Sequence, residues 1–387
     1  MRARATWLVI AVIAGCGRIG FDPRASAPPP PPRAVCFGPR IDLALCDSCS
    51  SPSPVSPALA DLDGDGDLDL VVGDDQLGRI GVRFNDGSGR FGPSMDYTVD
   101  YDAQDIALRD VTGDGTLDLL AASWNSSVKL FRGLGGGRFG LQERASNPTT
   151  PVAIELADLD RDGDPDLITG GEDNMIRTYL NDGTGTFVGP TSLLGLDNYY
   201  DVAVADLDRD GGLDIVTTDS ITTLTVLHHT AALTWAPAPI QVASGATGIA
   251  IADWNGDGIL DLATAATSGS VELLLGDGSA TTWTSRLVDV GPAPVWLAED
   301  DLDRDGDRDL VVTQIDGGSI SVLINQGDAT FEPRRDLPLI QLGGSSIHSL
   351  AKTITGDLDG DGYADLVTAN PAGENVEIFL TGDPGCP

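Results

Sequence analysis

The 387-residue sequence is poor in basic side chains, with 23 Lys and Arg against 59 Asp and Glu, and its formal net charge is −36. Such a chain would repel phosphate groups, so the composition argues against nucleic acid as a partner. It has only three histidines and no glycine-rich phosphate loop between a strand and a helix. We find no convincing catalytic constellation in it.

Long hydrophobic runs are also lacking. Residues 5–14 are apolar and follow Arg2 and Arg4, but the run is too short to span a bilayer and fits the core of a secretory signal. It ends in Ile-Ala-Gly-Cys16, which resembles the lipobox of bacterial lipoproteins. The resemblance implies a signal peptide at 1–15 and acylation of Cys16. The alternative is an ordinary exported protein with a spare cysteine.

Residues 28–32 are five consecutive prolines, which favour extended polyproline II. We therefore expect residues 16–35 to form a semi-rigid tether and residues 36–386 to form the folded domain. Acyl chains would hold the protein at a membrane without a spanning helix. The expected location is the bacterial outer membrane or cell surface.

An acidic nine-residue frame, D-x-[D/N/T]-x-D-G-x-x-D, recurs seven times. Its first residues are Asp61, Asp110, Asp158, Asp206, Asp253, Asp301 and Asp357. The successive gaps are 49, 48, 48, 47, 48 and 56 residues. A fixed period in this range indicates a repeat architecture.

The first copy, DLDGDGDLDL at 61–70, shows what the frame can do. Carboxylates at alternating positions of a tight loop can converge on one point, and Gly66 permits the sharp turn. Oxygen ligands at this density suit a hard cation, usually Ca²⁺. An EF-hand is the rival interpretation, but it needs a bidentate acid at position 12, where this copy has Val72, and flanking helices where this chain has strand-like segments.

Each repeat unit can be divided into four strands. The first ends at the acidic loop and is apolar on both faces, which suits an inner strand wedged between neighbours. Glu155, Glu299 and Lys352 interrupt that pattern and are expected to face a wet central channel. The third strand runs into hairpin turns such as 85–87, and an aromatic residue then opens the fourth. These aromatics recur every 48 residues and are predicted core anchors: Phe91, Phe139, Phe187, Trp235, Trp283 and Phe331.

The last unit lacks a fourth strand, and the missing piece lies at the other end of the domain. Residues 37–42, FGPRID, mirror residues 91–96, FGPSMD. We expect this N-terminal segment to complete the last blade and so remove a free sheet edge. The sequence thus predicts an all-β fold, a seven-bladed β-propeller of four-stranded blades whose ring is closed by an N-terminal strand.

The acidic loops, hairpins and following Phe-Gly resemble FG-GAP/VCBS repeats, in an arrangement similar to the N-terminal propeller of integrin α-subunits. In that family the loops bind Ca²⁺ through side chains at positions 1, 3, 5 and 9 and the carbonyl at position 7. The resemblance implies up to seven Ca²⁺ ions and the following ligands: Asp61, Asp63, Asp65, Asp67 (carbonyl) and Asp69; Asp110, Thr112, Asp114 and Asp118; Asp158, Asp160, Asp162 and Asp166; Asp206, Asp208, Asp210 and Asp214; Asp253, Asn255, Asp257 and Asp261; Asp301, Asp303, Asp305 and Asp309; Asp357, Asp359, Asp361 and Asp365. Thr112 and Asn255 depart from the pattern. An Asn oxygen can still coordinate, whereas a Thr hydroxyl is a poorer ligand.

Family membership does not fix function, because such propellers serve adhesion, carbohydrate binding and, in some cases, catalysis. We expect a non-catalytic binding or adhesion protein that recognises a protein or a glycan. The alternatives are an enzyme acting on an extracellular polymer, of lyase or hydrolase type, and a structural subunit of an envelope complex. The histidines, His228 and His229 near a third-strand hairpin and His348 before an inner strand, are expected to be surface or packed residues.

The predicted ligand-binding surface is the face opposite the acidic loops, because its connections vary most among the units. It offers Trp124, Tyr199 and Tyr200 as ligand-binding aromatics. Acids, amides and one more tyrosine accompany them: Asp74, Asp75, Gln76, Tyr101, Asn125, Glu172, Asp173, Asn174 and Asp316. Exposed aromatics among such groups suit a glycan or a basic protein patch. The alternative is that the tyrosines pack over the blade ends.

Five cysteines are present, and Cys16 is assigned to the lipid. Cys36 and Cys386 lie at the two ends of the domain, which should meet, so we predict a disulfide between them that staples the ring shut. Cys46 and Cys49 are then left as a local C-x-x-C pair, with a free redox-active pair as the alternative.

Overall fold

The computed structural model of the chain describes residues 35–47, 51–146, 150–171, 173–195, 201–218, 222–231, 233–243, 245–266, 268–315, 318–340 and 351–382. Within these ranges the regular elements are all strands, as the alternating apolar patterns predict. No helix long and apolar enough to cross a membrane occurs in them. The predicted signal peptide, the acylation site at Cys16 and the proline run lie outside these ranges.

Thirty strands make up the described part of the chain. In chain order they are β1 (Cys36–Phe37), β2 (Ile41–Ala44), β3 (Pro54–Ala60), β4 (Asp69–Asp74), β5 (Arg79–Arg83), β6 (Met95–Thr98), β7 (Ala103–Arg109), β8 (Asp118–Ser123), β9 (Val128–Phe131), β10 (Glu143–Arg144), β11 (Pro151–Ala157), β12 (Asp166–Gly171), β13 (Met175–Asn181), β14 (Phe187–Gly195), β15 (Val202–Ala205), β16 (Asp214–Thr218), β17 (Thr223–Ala231), β18 (Thr234–Gln241), β19 (Ala246–Ala252), β20 (Asp261–Ala266), β21 (Ser270–Gly276), β22 (Trp283–Asp289), β23 (Pro294–Asp300), β24 (Asp309–Gln314), β25 (Ser319–Leu323), β26 (Arg335–Pro338), β27 (Thr353–Gly356), β28 (Asp365–Asn370), β29 (Asn375–Phe379) and β30 (Thr381–Gly382).

Seven antiparallel four-stranded sheets form the blades of a propeller. Blades 1 to 6 each use four consecutive strands, from β3–β6 in blade 1 to β23–β26 in blade 6. The first strand of each blade contacts the first strand of the next, and β27 of blade 7 contacts β3 of blade 1, so the inner strands form a closed ring. The predicted seven-bladed propeller is therefore confirmed.

The N-terminal segment closes the ring as predicted. In blade 7 the strand order is β2-β29-β28-β27, and β2 pairs antiparallel with β29 through Ile41 opposite Ile378 and Leu43 opposite Val376. A second small pairing joins β1 to β30, with Cys36 opposite Gly382. Because β2 covers the outer edge of β29, the last blade does not end in an unpaired third strand.

Apolar side chains are buried between consecutive blades rather than in one central core. The described residues form seven separate clusters, each built from two neighbouring blades. Val71 and Leu119, for example, join blades 1 and 2 and are fully buried. All six repeated aromatics pack against one of these clusters, so their predicted role as core anchors is confirmed. This arrangement explains why the second strands, apolar on both faces, are buried throughout.

The cysteines differ in part from the prediction. Cys36 has a free thiol, so the expected bond from Cys36 to Cys386 is not formed in this structure, although β1 and β30 bring the two ends together. Cys386 itself lies outside the described residues. Cys46 is in a disulfide whose partner also lies outside them, and since Cys36 is free, that partner is not Cys36.

Candidate metal-binding loops

The seven acidic loops join the first and second strands of the blades and lie on one face of the propeller, which we call the loop face. The hairpins between third and fourth strands lie on the same face, because the strands of a blade alternate in direction. Asparagines in the hairpins bind the backbone carbonyl of the second residue in the acidic loop of the preceding blade. Asn85 Nδ2 donates to the Leu358 carbonyl at 2.7 Å, and Asn325 Nδ2 to that of Trp254 at 2.9 Å.

The sixth residue of every loop makes the turn that the sequence predicts. It is a glycine with φ between +81° and +101° in all seven copies, a region in which a side chain would be strained. Its N–H donates to the carboxylate of the first Asp in each copy, as Gly66 does to Asp61 at 3.1 Å. The glycine therefore folds the loop back over the position-1 carboxylate.

The ninth residue has a structural role that sequence reasoning missed. All seven position-9 aspartates have no exposed surface, and each carboxylate accepts at least two backbone N–H bonds. One comes from the second residue of the loop at 2.8–3.1 Å. The other comes from the end of the third strand at 2.6–2.9 Å. These carboxylates join the loop to the hairpin of their own blade.

Burial raises the pKa of the position-9 carboxyls. The value rises to about 6 for Asp69, Asp166 and Asp261, to about 7 for Asp365 and to about 8 for Asp309. The two backbone donors partly oppose this rise. Without a counter-charge, part of this set is protonated near neutral pH.

The geometry of the loops fits a divalent cation. In the first, third and sixth loops the carboxylate oxygens of positions 1, 3 and 9 lie within 4.8 Å of one another. Three buried oxygens in the loops have no hydrogen-bond partner: Asp158 Oδ1, Asp206 Oδ1 and Asp303 Oδ2. Burial and then the neighbouring Asp65 carboxylate raise the pKa of Asp63. Converging carboxylate oxygens that lack hydrogen-bond partners are a suitable donor set for Ca²⁺.

The two loops that depart from the frame differ in how well they fit. Asn255 Oδ1 accepts the N–H of Asp257 at 2.8 Å, the bond that a position-3 carboxylate accepts elsewhere, so an oxygen stands in the expected place. The Thr112 hydroxyl instead donates to Asp110 Oδ1 at 3.5 Å. A hydroxyl that donates to a neighbouring ligand adds no negative charge, so the second loop has the weaker donor set.

His228 and His229 lie against the fourth loop rather than on a free surface. His228 Nδ1 is 3.1 Å from Asp214 Oδ1, and its Nε2 is 3.5 Å from Asp208 Oδ2. The His229 Nδ1 atom is 3.7 Å from Asp210 Oδ2. Alignment of the seven repeats shows histidine at this position in blade 4 alone, and that difference could have predicted the contact from the sequence.

The opposite face, which we call the open face, carries part of the predicted ligand surface. Tyr101 is 53% exposed and Leu77 37%, and Trp124 is half-buried, with its backbone N–H donating to the Asp102 carbonyl at 2.9 Å. Tyr101 lies beside Gly78, next to Leu77. We call Leu77, Tyr101 and Trp124 the aromatic patch. Tyr199 and Tyr200, like Glu172 and Asp316, lie outside the described residues.

Two expected members of that surface are not available to a ligand. Asp74 is fully buried and Asp75 nearly so, so the prediction that they line the open face is wrong. The Asp74 carboxylate accepts the backbone N–H groups of Ser53, Gln76 and Leu77. It holds the turn between β4 and β5, which is the usual role of an aspartate that bonds to the backbone ahead of it.

Polar residues of the inner strands meet at the centre of the ring. Lys352 Nζ donates to Asp105 Oδ1 at 3.0 Å and lies 4.4 Å from the centre of the Trp296 ring. Blades 7 and 2 are not neighbours, so this ion pair spans the centre, as expected for Lys352. Asp105 also accepts the N–H of Ile154 in the next blade at 3.0 Å, which makes it a brace between inner strands.

Two further carboxyls sit beside this pair. Burial raises the pKa of Asp201 to about 7, and its carboxylate accepts the N–H of Ile249 in blade 5 at 2.9 Å. Glu155 is buried, and burial together with repulsion from Asp105 and Asp201 raises its pKa well above the usual range. Glu299 instead lies 3.4 Å from Arg308 of its own blade.

Comparison with protein families gives a match to the FG-GAP-like repeat over residues 61–121, 110–169, 158–217 and 301–368. The matched ranges cover more than half of the chain, and each begins at the first aspartate of an acidic loop. No curated protein sequence matches the chain significantly.

Several solved structures share the fold at low sequence identity. An Agrocybe aegerita lectin that recognises non-reducing terminal N-acetylglucosamine is 19% identical, with a TM-score of 0.57 and 87% of each chain covered. BBS1N, solved in complex with ARL6DN, is 13% identical, with a TM-score of 0.61 and coverage of 90% of this chain and 97% of that one. Saccharomyces cerevisiae Sqt1 is 14% identical, with a TM-score of 0.55 and 81% of each chain covered. At these identities the likeness supports the propeller fold alone.

Proposed function

Because the chain belongs to the family of FG-GAP-like repeat proteins, we propose that it is a non-catalytic binding propeller that recognises a protein or a glycan. Calcium in the acidic loops stabilises it. The lipobox-like sequence before Cys16 supports export and anchoring at the bacterial envelope, with the proline run as a spacer. The signal, the anchor and the ion are parts of this proposal.

The difference between the two faces is the observation that carries it. Loop–hairpin bonds and acidic turns occupy the loop face. The open face instead presents the aromatic patch, and Tyr and Trp suit ligands that need an apolar surface with a polar tip. The fold neighbours offer precedents, since one is a lectin and another was solved with a protein partner.

A glycan and surface-protein binding screen, with and without Ca²⁺, tests the proposal. Once a ligand is found, Tyr101→Ala and Trp124→Ala should each weaken binding at least about 10-fold, the loss expected of an interface residue worth 1.4 kcal/mol or more. Tyr199→Ala and Tyr200→Ala belong in the same series. Leu134→Ala is the matched control, because Leu134 is 68% exposed but lies in a hairpin of the loop face. If Leu134→Ala abolishes binding while the open-face variants bind like wild type, the ligand binds to the loop face and not to the open face.

An enzyme acting on an extracellular polymer is the second candidate, and the buried carboxyls at the centre of the ring favour it. Glu155, with its raised pKa, has the protonation that a general acid needs near neutral pH. Purified protein should then turn over a polysaccharide, and Glu155→Gln should abolish the turnover. The exposed Glu143→Gln is the control. Turnover that survives Glu155→Gln would exclude this site.

A further inference from the structure

The fourth blade differs from the others where its third strand ends over the acidic loop. The equivalent positions are identified by the residue whose backbone N–H bonds the position-9 carboxylate, which is His229 in this blade. The preceding position holds His228 here. In the other blades it holds Phe84, Arg132, Leu180, Leu275, Ile324 and Leu380. A mostly apolar position has therefore become an imidazole in one blade.

The His228 imidazole points into the ligand set of the fourth loop. Its two ring nitrogens face Asp214 Oδ1 at 3.1 Å and Asp208 Oδ2 at 3.5 Å. One ligand atom from each of these three residues lies within 4.8 Å of the other two. The His228 side chain is 24% exposed and Asp214 is fully buried, so an ion can reach the group from the loop face.

Two buried atoms at the same loop have unfilled hydrogen-bonding capacity. Asp206 Oδ1 has no hydrogen-bond partner, and neither does His229 Nδ1. Gly212, at position 7, leaves room for the second ring, because a Cβ there would lie 1.9 Å from His229 Nδ1. A buried carboxylate oxygen without a partner is costly, and a cation bound in the loop would satisfy Asp206 Oδ1.

The presence of nitrogen changes which ion this loop prefers. Calcium takes oxygen ligands almost throughout, whereas imidazole with carboxylates suits zinc and its first-row neighbours. We propose that the fourth loop binds a divalent transition-metal ion, such as Zn²⁺, through His228, Asp208 and Asp214, while loops without histidine bind calcium. Asp206 and Asp210 each have a carboxylate oxygen within 4.8 Å of one on Asp208, so either can supply a further ligand on that side of the site. This site does not depend on what the open face binds.

Cobalt titration of the full chain tests the proposal, because Co²⁺ substitutes for zinc and absorbs visible light when coordinated. The protein is stripped of metal, its free thiols are alkylated to remove competing cysteine ligands, and millimolar CaCl₂ fills the oxygen-only loops. We expect one equivalent of Co²⁺ to bind with a visible band, and Zn²⁺ to displace it. His228→Leu should weaken Co²⁺ binding at least about 100-fold, since even outer contacts of metal ligands are worth 10- to 100-fold.

The substitution is matched to the chain, because leucine holds the same position in blades 3, 5 and 7. His228→Phe, with the residue of blade 1, is a second variant if the first folds poorly. Calcium binding by the other loops should be unchanged in both. The proposal is overturned if wild-type protein binds no Co²⁺ in calcium, if excess calcium displaces the ion, or if both folded variants bind it like wild type.

Discussion

Asp309 closes the sixth acidic loop, and its replacement should destabilise the propeller even without metal. Its carboxylate is fully buried and accepts the N–H groups of Leu302 at 2.8 Å and Asn325 at 2.7 Å. Asp309→Ala leaves both donors buried and unpaired, which costs about 1–3 kcal/mol each, or about 2–6 kcal/mol in all. Burial raises the pKa of Asp309 to about 8, so at pH 7 the metal-free protein holds this carboxyl largely protonated. The unfolded chain holds it ionised at pH 7, so folding must protonate it at a cost of up to about 4 kcal/mol, which the alanine variant avoids and which offsets the two lost bonds. At pH 4 this offset falls below about 1 kcal/mol, so the loss of the two bonds is measured there.

Urea unfolding of metal-stripped protein at pH 4, followed by tryptophan fluorescence, measures the effect. Asp309→Asn keeps one acceptor oxygen and should lose about half as much stability as Asp309→Ala. Asp289→Ala is the control, because that side chain is 93% exposed and surface changes usually stay within about 0.5 kcal/mol. If Asp309→Ala unfolds like wild type without metal and is weaker only in calcium, the carboxylate acts solely as a metal ligand and the bracing argument is refuted.

The remaining predictions concern pH and ring closure. Burial raises the pKa of Asp201 and Glu299 to about 7, so the folded state holds protons more tightly than the unfolded state. The stability that these raised pKa values add to the folded state is complete below pH ~4. It is lost as pH rises towards 7, by up to about 4 kcal/mol of unfolding free energy for Asp201. Metal-stripped protein should accordingly melt higher at pH 5 than at pH 8, with a smaller difference in Asp201→Asn; equal wild-type melting temperatures would contradict this. Deletion of residues 36–45 should expose the edge of β29 and cause self-association in size-exclusion chromatography, whereas a monomer that melts like the full chain would count against closure by β2.

The blade number and the closing strand could be predicted because each depends on a local pattern. Each unit carries one acidic frame, so the number of frames gives the number of loops between first and second strands. The glycine at position 6 of each frame, Gly66 in the first, determines the turn of that loop. The match between residues 37–42 and 91–96 showed which strand was missing from the last unit. Repeats make such inferences strong, since every copy must satisfy the same geometry.

Contacts between segments separated along the chain could not be predicted in this way. His228 meets Asp214 because β16 and β17 pair with Leu227 opposite Ile215, and no composition or spacing fixes that register. The buried bonds of the position-9 aspartates depend on the same pairing in each blade. Asp74 looked like a surface acid because its sequence context is polar, whereas its carboxylate holds a turn from inside.

Calcium dependence of the melting temperature tests the central claim, that the acidic loops hold cations which stabilise the propeller. Each site bound only in the native state adds about 2.7 kcal/mol when free calcium is 100-fold above the dissociation constant. Carboxylates that crowd within 4.8 Å also repel one another by about 1 kcal/mol per close pair in water-like surroundings. We therefore expect a large fall in melting temperature when EGTA replaces millimolar calcium at pH 8, and recovery when calcium is restored. A melting curve that is the same in EGTA and in calcium would contradict the account.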